Sequence, residues 1–160
     1  MKMLPGKILF LDQPHPLLPQ KLAELGFTCI FDFDSPKEKI AAILPDFQGL
    51  VLRSRFALDR HFIECGSNLK FIAREGVGLE HIEVEFAESN GIQVIASPEG
   101  SRDTVGEHAI GLLLNLMNNL GRADRQIRQG QWIREANRGV ELKGKTVGIL
   151  GYGNMGSAFA

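Results

Sequence analysis

Cysteine is scarce in this chain, with Cys29 and Cys65 the two thiols in 160 residues. Two are too few to staple a small secreted scaffold, so the sequence predicts reduced, structural thiols in a cytoplasmic protein. An excess of charge is missing too. Eighteen Lys and Arg stand against nineteen Asp and Glu, a formal net charge of −1, which removes the basic field that nucleic acid or an anionic membrane surface would need. Long apolar runs are absent as well. Lys2 is followed by the run Ile8 to Leu11, which ends at Asp12 and is shorter than a signal-peptide core. The longest apolar stretch, Ile110 to Leu120, is broken by Asn115, Asn118 and Asn119 and is too short to span a bilayer. There is no internal repeat and no low-complexity tract. The remainder, 44% hydrophobic and 23% charged, is the composition of a soluble globular protein.

In chain order, Lys7 to Asp12, Phe27 to Phe33, Gly49 to Arg53, Lys70 to Arg74 and Ile92 to Ala96 read as five strands. Between them lie helical segments at Leu17 to Leu25, Lys37 to Leu44, Asp59 to Cys65 and Val84 to Asn90. Ser35-Pro36 supplies an N-cap and an N1 proline, and Gly26, Pro45 and Gly91 supply stops. Strands that are apolar throughout and alternate with helices predict a parallel sheet covered on both faces, here a flavodoxin-like open sheet. Around Pro98 the rhythm changes. A long helix from Asp103 to about Leu120, with Val105, Ile110, Leu113, Leu114 and Met117 on its apolar face, is predicted to end at Gly121. A second helix follows over Arg122 to Gln129, then Trp132, a polar loop, and a sixth strand over Lys145 to Leu150. The predicted domains are residues 1–98 and 99–160.

The sixth strand leads into Gly151-Tyr152-Gly153-Asn154-Met155-Gly156 and a small-residue helical stretch, Ser157 to Ala160. This is the first turn of a dinucleotide-binding βαβ unit. Gly151 would let the chain turn tightly, Gly153 would let backbone approach a pyrophosphate, and Gly156 would let helix pack on strand. A glycine turn of purely structural purpose is the alternative, and the flanking strand and helix argue against it. A full unit needs a second strand ending in Asp or Glu about 20 residues on, so the sequence is expected to be the N-terminal part of a longer protein.

Two strand exits carry unusual residues. Arg53-Ser54-Arg55 follows an apolar strand and suits a carboxylate or phosphate, although the same residues would suit a solvated loop whose arginines pair with Asp or Glu. Arg74-Glu75-Gly76-Val77-Gly78 places two glycines around one residue, a backbone nest whose N–H groups can bind an anion. A plain tight turn is the other reading. His15, His61, His81 and His108 read as packing, turn or surface residues.

These segments, with Asn90-Gly91, Ser97 to Gly100, Val105 to His108, Gly130 to Trp132 and Leu142 to Gly156, resemble the NAD-dependent D-2-hydroxyacid dehydrogenases. The likeness is to the D-3-phosphoglycerate dehydrogenase branch in particular. It covers roughly Val51 to Gly156. The resemblance implies a flavodoxin-like substrate-binding domain followed by the start of a Rossmann domain that binds NAD, with the active site in the cleft between them. It implies that the Val77 and Gly78 N–H groups hold the substrate carboxylate, with Val77 also near the nicotinamide, and that Arg53, Ser54, Arg55 and Arg74 face the anionic end of the substrate. Gly151, Tyr152, Gly153, Asn154, Met155 and Gly156 would hold the cofactor. Asn154-Met155 stands where the family usually has Arg-Ile, Ser101 where it often has Asn, and Gly106 where Ala is usual. The catalytic Arg, Glu and His of the family fall beyond Ala160, so the 160 residues alone are expected to be inactive.

For the complete protein the implied reaction is hydride transfer at C2 of a small anionic D-2-hydroxy or 2-oxo acid. The favoured pair is 3-phosphoglycerate and 3-phosphohydroxypyruvate, at the entry to serine biosynthesis. The resemblance further implies a homodimer through the helices of residues 104–138 and the Trp132 arm, with Arg134 reaching toward the neighbouring substrate. No nucleic-acid or membrane partner is implied. The alternatives are a non-catalytic ligand-binding fragment or a corepressor-like, NAD-sensing member of the family.

Overall fold

The computed structural model describes residues 6–160. Lys2, part of the reading of the N-terminus, lies outside them. Contacts gather the chain into two units, one running to Ser97 and the other from Pro98 to Ala160.

The first unit is built on five parallel strands: β1 (Lys7–Phe10), β2 (Thr28–Phe31), β3 (Gly49–Leu52), β4 (Phe71–Arg74) and β5 (Gln93–Ile95). Their order, β2-β1-β3-β4-β5, is that of a flavodoxin-like sheet. The crossovers are α1 (Leu17–Glu24), α2 (Lys37–Ile43), α3 (Arg60–Cys65) and α4 (Val84–Ser89). Successive strand residues point to opposite faces. Leu9, Leu50, Leu52 and Ile72 therefore join Ile40 of α2, Phe62 and Ile63 of α3 and Ala87 of α4 in one core. Ile8, Phe10 and Val51 face the other way and meet Leu18 and Leu22 of α1. β3 is buried along its whole length and paired on both sides. Its first residue must be small, because a Cβ on Gly49 would run into the ring of Phe71 across the β3–β4 pair.

Loop chemistry sets the ends of these elements. Asp59 caps α3 by accepting the Phe62 N–H at 2.9 Å, and its other oxygen takes the Lys37 ammonium at 2.5 Å. At α2 the boundary lies one residue later than the sequence implied. Pro36, extended at ψ 162°, occupies the cap position and no side chain caps the helix. Ser35 is held instead in the turn before it, its N–H donated to Asp32 Oδ1 at 2.9 Å.

The second unit contains α5 (Arg102–Met117), α6 (Leu120–Arg128) and α7 (Asn154–Phe159). Gly121, the expected terminator of the long helix, lies inside α6. The break is made by Asn119, which takes up a left-handed conformation at φ 53°, tolerated by Asn better than by most residues. The Asn115 carboxamide then accepts the Gly121 N–H at 2.9 Å. Of the expected apolar face of α5, Val105, Ile110 and Leu114 are exposed. The covered side runs instead through buried Gly106 and half-buried Ala109, Leu113 and Met117. A Cβ on Gly106 would come within 2.9 Å of the Ala158 carbonyl oxygen, so this glycine serves the close approach of α7. The strand expected over Lys145 to Leu150 is absent, and Leu150 is fully exposed. A β-strand exists through its ladder, and no other strand of this unit is present among the described residues.

Two carboxylates make the first unit sensitive to acid. The Ser35 N–H lowers the pKa of Asp32, assisted by the Asp34 N–H and by Arg55. The Lys37 ammonium, then the Phe62 N–H, lowers that of Asp59. Groups with depressed folded values stabilise the fold above the ordinary carboxylate range and lose that contribution as pH falls through the lowered values. Thermal unfolding followed by circular dichroism should therefore show Tm dropping below about pH 4. An Asp32→Asn/Asp59→Asn double variant should start lower at neutral pH and fall less on acidification. Parallel acid profiles would remove these two groups from the account.

Candidate substrate and cofactor sites

The parallel register brings the carboxyl ends of β1, β3 and β4 together. The Leu11 N–H donates to the Val51 carbonyl at 2.9 Å, and the Glu75 N–H to the Leu52 carbonyl at 3.0 Å. Asp12 thus ends beside Arg53, whose N–H it accepts through Oδ2 at 2.6 Å. The exposed Arg53 side chain carries its Nε 3.5 Å from Glu75 Oε2. Ser54 is exposed, and its hydroxyl has no partner among the described residues.

Arg55 is placed differently from its neighbours. Its guanidinium donates to three carbonyls, of Leu11 at 3.2 Å, Asp32 at 2.6 Å and Ser35 at 2.5 Å, and lies 4.7 Å from the Phe56 ring centroid. The group that the sequence grouped with the substrate contacts is here tied into the backbone of the β1, β2 and β3 exits. A rigid planar fork is suited to such a tie.

At the β4 exit the Arg74 Nε donates to the Arg53 carbonyl at 3.1 Å. The rest of the guanidinium lies against Gly76, where a Cβ would come within 2.9 Å of Arg74 Cζ. The Gly76 N–H turns back to the Arg74 carbonyl at 2.9 Å, and the Gly76 carbonyl accepts the Ser97 N–H at 2.8 Å. These two bonds fix the loop on both sides. The Val77 and Gly78 N–H groups have no acceptor among the described residues, and Val77 is exposed. Two free backbone donors in a loop that a guanidinium lies against can hold a carboxylate once the Glu80 carboxylate, which lies where a Cβ on Gly78 would stand, moves aside. Asp12 and Glu75 are the members of this cluster that sequence reasoning missed. A signal for each was present: Asp12 closes the strand next to β3 in the sheet order, and Glu75 lies inside the nest motif.

In the second unit, Gly151 adopts φ 89°, open to glycine and strained for other residues. Gly153 is extended at the cap position of α7, with nothing within 4 Å of where its Cβ would stand. A Cβ on Gly156 would collide with the Gly151 carbonyl oxygen. Asn154, Met155 and Gly156 form the first turn of α7, and their N–H groups have no partner among the described residues. Tyr152 is exposed. A tight glycine turn, an open backbone approach and unpaired helix-start donors are what a pyrophosphate needs, so these residues fit a dinucleotide. Among the described residues there is no cluster of side chains able to hold a metal ion, and no helix is long and apolar enough to cross a membrane.

The sheet order is that of an open parallel α/β fold, and the glycine turn fits a dinucleotide. The profile of the D-isomer specific 2-hydroxyacid dehydrogenase catalytic domain matches residues 8–157, and the chain belongs to that family. A hydroxypyruvate reductase of Thermotoga maritima is 40% identical over 124 residues, 78% of this chain and 40% of its own length. A D-3-phosphoglycerate dehydrogenase of Archaeoglobus fulgidus is 37% identical over 75% of this chain and 23% of its own length. Among solved structures, the NADPH-dependent glyoxylate/hydroxypyruvate reductase of Sinorhizobium meliloti, in complex with NADP and malonate, superposes with a TM-score of 0.75 at 29% identity. It is matched over 96% of this chain and 48% of that one. The NAD-dependent formate dehydrogenase of Staphylococcus aureus, in complex with NAD, gives 0.77 at 27% identity, over 96% and 51%. The chain thus spans from about a quarter to about half of the length of these relatives.

The placement of Arg55 has a direct consequence. Arg55→Ala should lower the unfolding free energy by about 2 kcal/mol, the scale of hydrogen bonds from a charged donor. Arg55→Lys should recover part of that, since an ammonium carries its three donors on one nitrogen where the guanidinium reaches the carbonyls from two. Urea unfolding reads both, and a wild-type midpoint for Arg55→Ala would return this residue to the substrate-contact group.

Proposed function

We propose that the native protein is an NAD-dependent oxidoreductase acting on the CH–OH group of a small D-2-hydroxy acid. The observation that carries this reading is the pair of unpaired N–H groups at Val77 and Gly78, in the loop whose Gly76 the Arg74 guanidinium lies against. They would bind the substrate carboxylate and so fix the position of C2. Arg53 and Ser54, exposed at the neighbouring exit, would meet the far end of the substrate. The Gly151 to Gly156 turn, with the α7 N–H groups, would hold the pyrophosphate of NAD, which when bound supplies the hydride acceptor. Arg55 keeps the exits in register, and no residue of this chain is assigned the acid–base role.

The names of the relatives point to two acids, 3-phosphoglycerate, oxidised toward serine, and glycerate, the reduced partner of hydroxypyruvate. A cytoplasmic setting belongs to the same proposal, supported by NAD-linked chemistry and the free thiols Cys29 and Cys65. So does a homodimer through the α5–α6 region. Leu112, Leu116, Leu120, Ile127 and Trp132 are exposed there, Trp132 to 79%, an apolar surface of the kind that pairing covers.

The native protein should form NADH from one or both acids. Arg74→Gln should raise KM for each at least about tenfold, the loss of one charge-assisted contact, and an unchanged KM would reject the carboxylate assignment. In sedimentation the native protein should run as a dimer and a Leu116→Glu/Trp132→Ala variant as a monomer; an equal mass for the two would reject this interface.

A further inference from the structure

We infer that Glu75 determines substrate specificity by neutralising Arg53, so that the site favours a 2-hydroxy acid with an uncharged far end over one bearing a phosphate. This rests on the reading just given and adds to it the charge that the site presents.

Three arginines stand at the β3 and β4 exits, and their side chains are not equally available. Arg55 is held by the Leu11, Asp32 and Ser35 carbonyls. Arg74 is anchored through Nε on the Arg53 carbonyl and lies over Gly76, which precedes the free Val77 and Gly78 donors in the chain. It belongs with the carboxylate. Arg53 is left for a distal anion, and two carboxylates flank it. Asp12 accepts its backbone N–H at 2.6 Å, and Glu75 lies 3.5 Å from its side-chain Nε.

The Glu75 carboxylate is the more buried partner, its side chain 20% exposed against 55% for Arg53. Its other oxygen accepts the His15 N–H at 3.4 Å. It is therefore held from two sides, and its chain neighbours Arg74 and Gly76 are fixed by the loop. A substrate phosphate approaching Arg53 would have to displace this carboxylate or settle beside it, and like charges at such separations repel. A hydroxymethyl group meets no such barrier and can accept from Arg53 or donate to Glu75. The cluster thus offers one strong anion subsite, for the carboxylate, where the sequence led us to expect two.

The test is the ratio of kcat/KM for D-3-phosphoglycerate to that for D-glycerate, measured on the native protein and its variants. The unmodified protein should prefer glycerate. Glu75→Gln should raise the ratio about tenfold, mostly through a lower KM for phosphoglycerate, the scale set by freeing one guanidinium for a charge pair. Glu75→Asp should stay near the parent ratio. Glu75→Ala carries the same expectation as Glu75→Gln and serves if the latter does not fold. In an Arg53→Gln background, Glu75→Gln should move the ratio less than about twofold, since the coupling runs through that pair. A folded, active Glu75→Gln protein with an unchanged ratio, or a change that persists without Arg53, overturns the inference alone. Failure of the native protein to oxidise either acid overturns the functional reading and this inference with it.

Discussion

The parallel pairing of β3 with β1 on one side and β4 on the other is the constraint on which the first unit depends. β3 is four residues long and wholly buried, so its backbone donors and acceptors must be met by its neighbours. Meeting them fixes the register, Leu50 opposite both Leu9 and Ile72. A register fixed in this way decides where the three strands end. The chain there has no sheet left to satisfy it, and polar residues take over: Asp12, Arg53, Arg74. The chemistry of the site is thus the edge condition of the core.

Arg55 shows how the two are joined. Its guanidinium serves carbonyls that the ladder leaves unpaired as the chain exits β1 and β2. Local order of this kind lets neighbouring side chains be placed rather than averaged. The nest at Val77 and Gly78 depends on it at second hand, because Arg74 hangs from the Arg53 carbonyl. Function at this exit would come from preorganised donors, with little movement required on binding.

The sheet was legible in the sequence because each strand is a short apolar run bounded by turn residues, a pattern that parallel burial demands. The glycine turn at Gly76 to Gly78 was legible for a different reason, since two glycines around one residue at a strand exit have few uses. What could not be read was pairing at a distance. Nothing local distinguishes Arg55 from Arg53, and their fates diverge because three carbonyls, one after β1 and two in the loop after β2, converge on one of them. The run Lys145 to Leu150 has strand composition but no ladder in its unit, so propensity alone did not make it a strand. On α5 the apolar residues at Val105, Ile110 and Leu114 are exposed, and the covered stripe begins at Gly106, where the absence of a side chain admits α7.

Under the proposed function, the Val77 and Gly78 N–H groups bind the carboxylate of a 2-hydroxy acid. Amide nitrogen–proton correlation spectra of the protein, recorded during titration with D-glycerate, address it directly. The account predicts that the Val77 and Gly78 resonances shift most and saturate together, with Gly91 unmoved as a distant reference. Saturable shifts elsewhere in the chain, with Val77 and Gly78 unaffected, would contradict it.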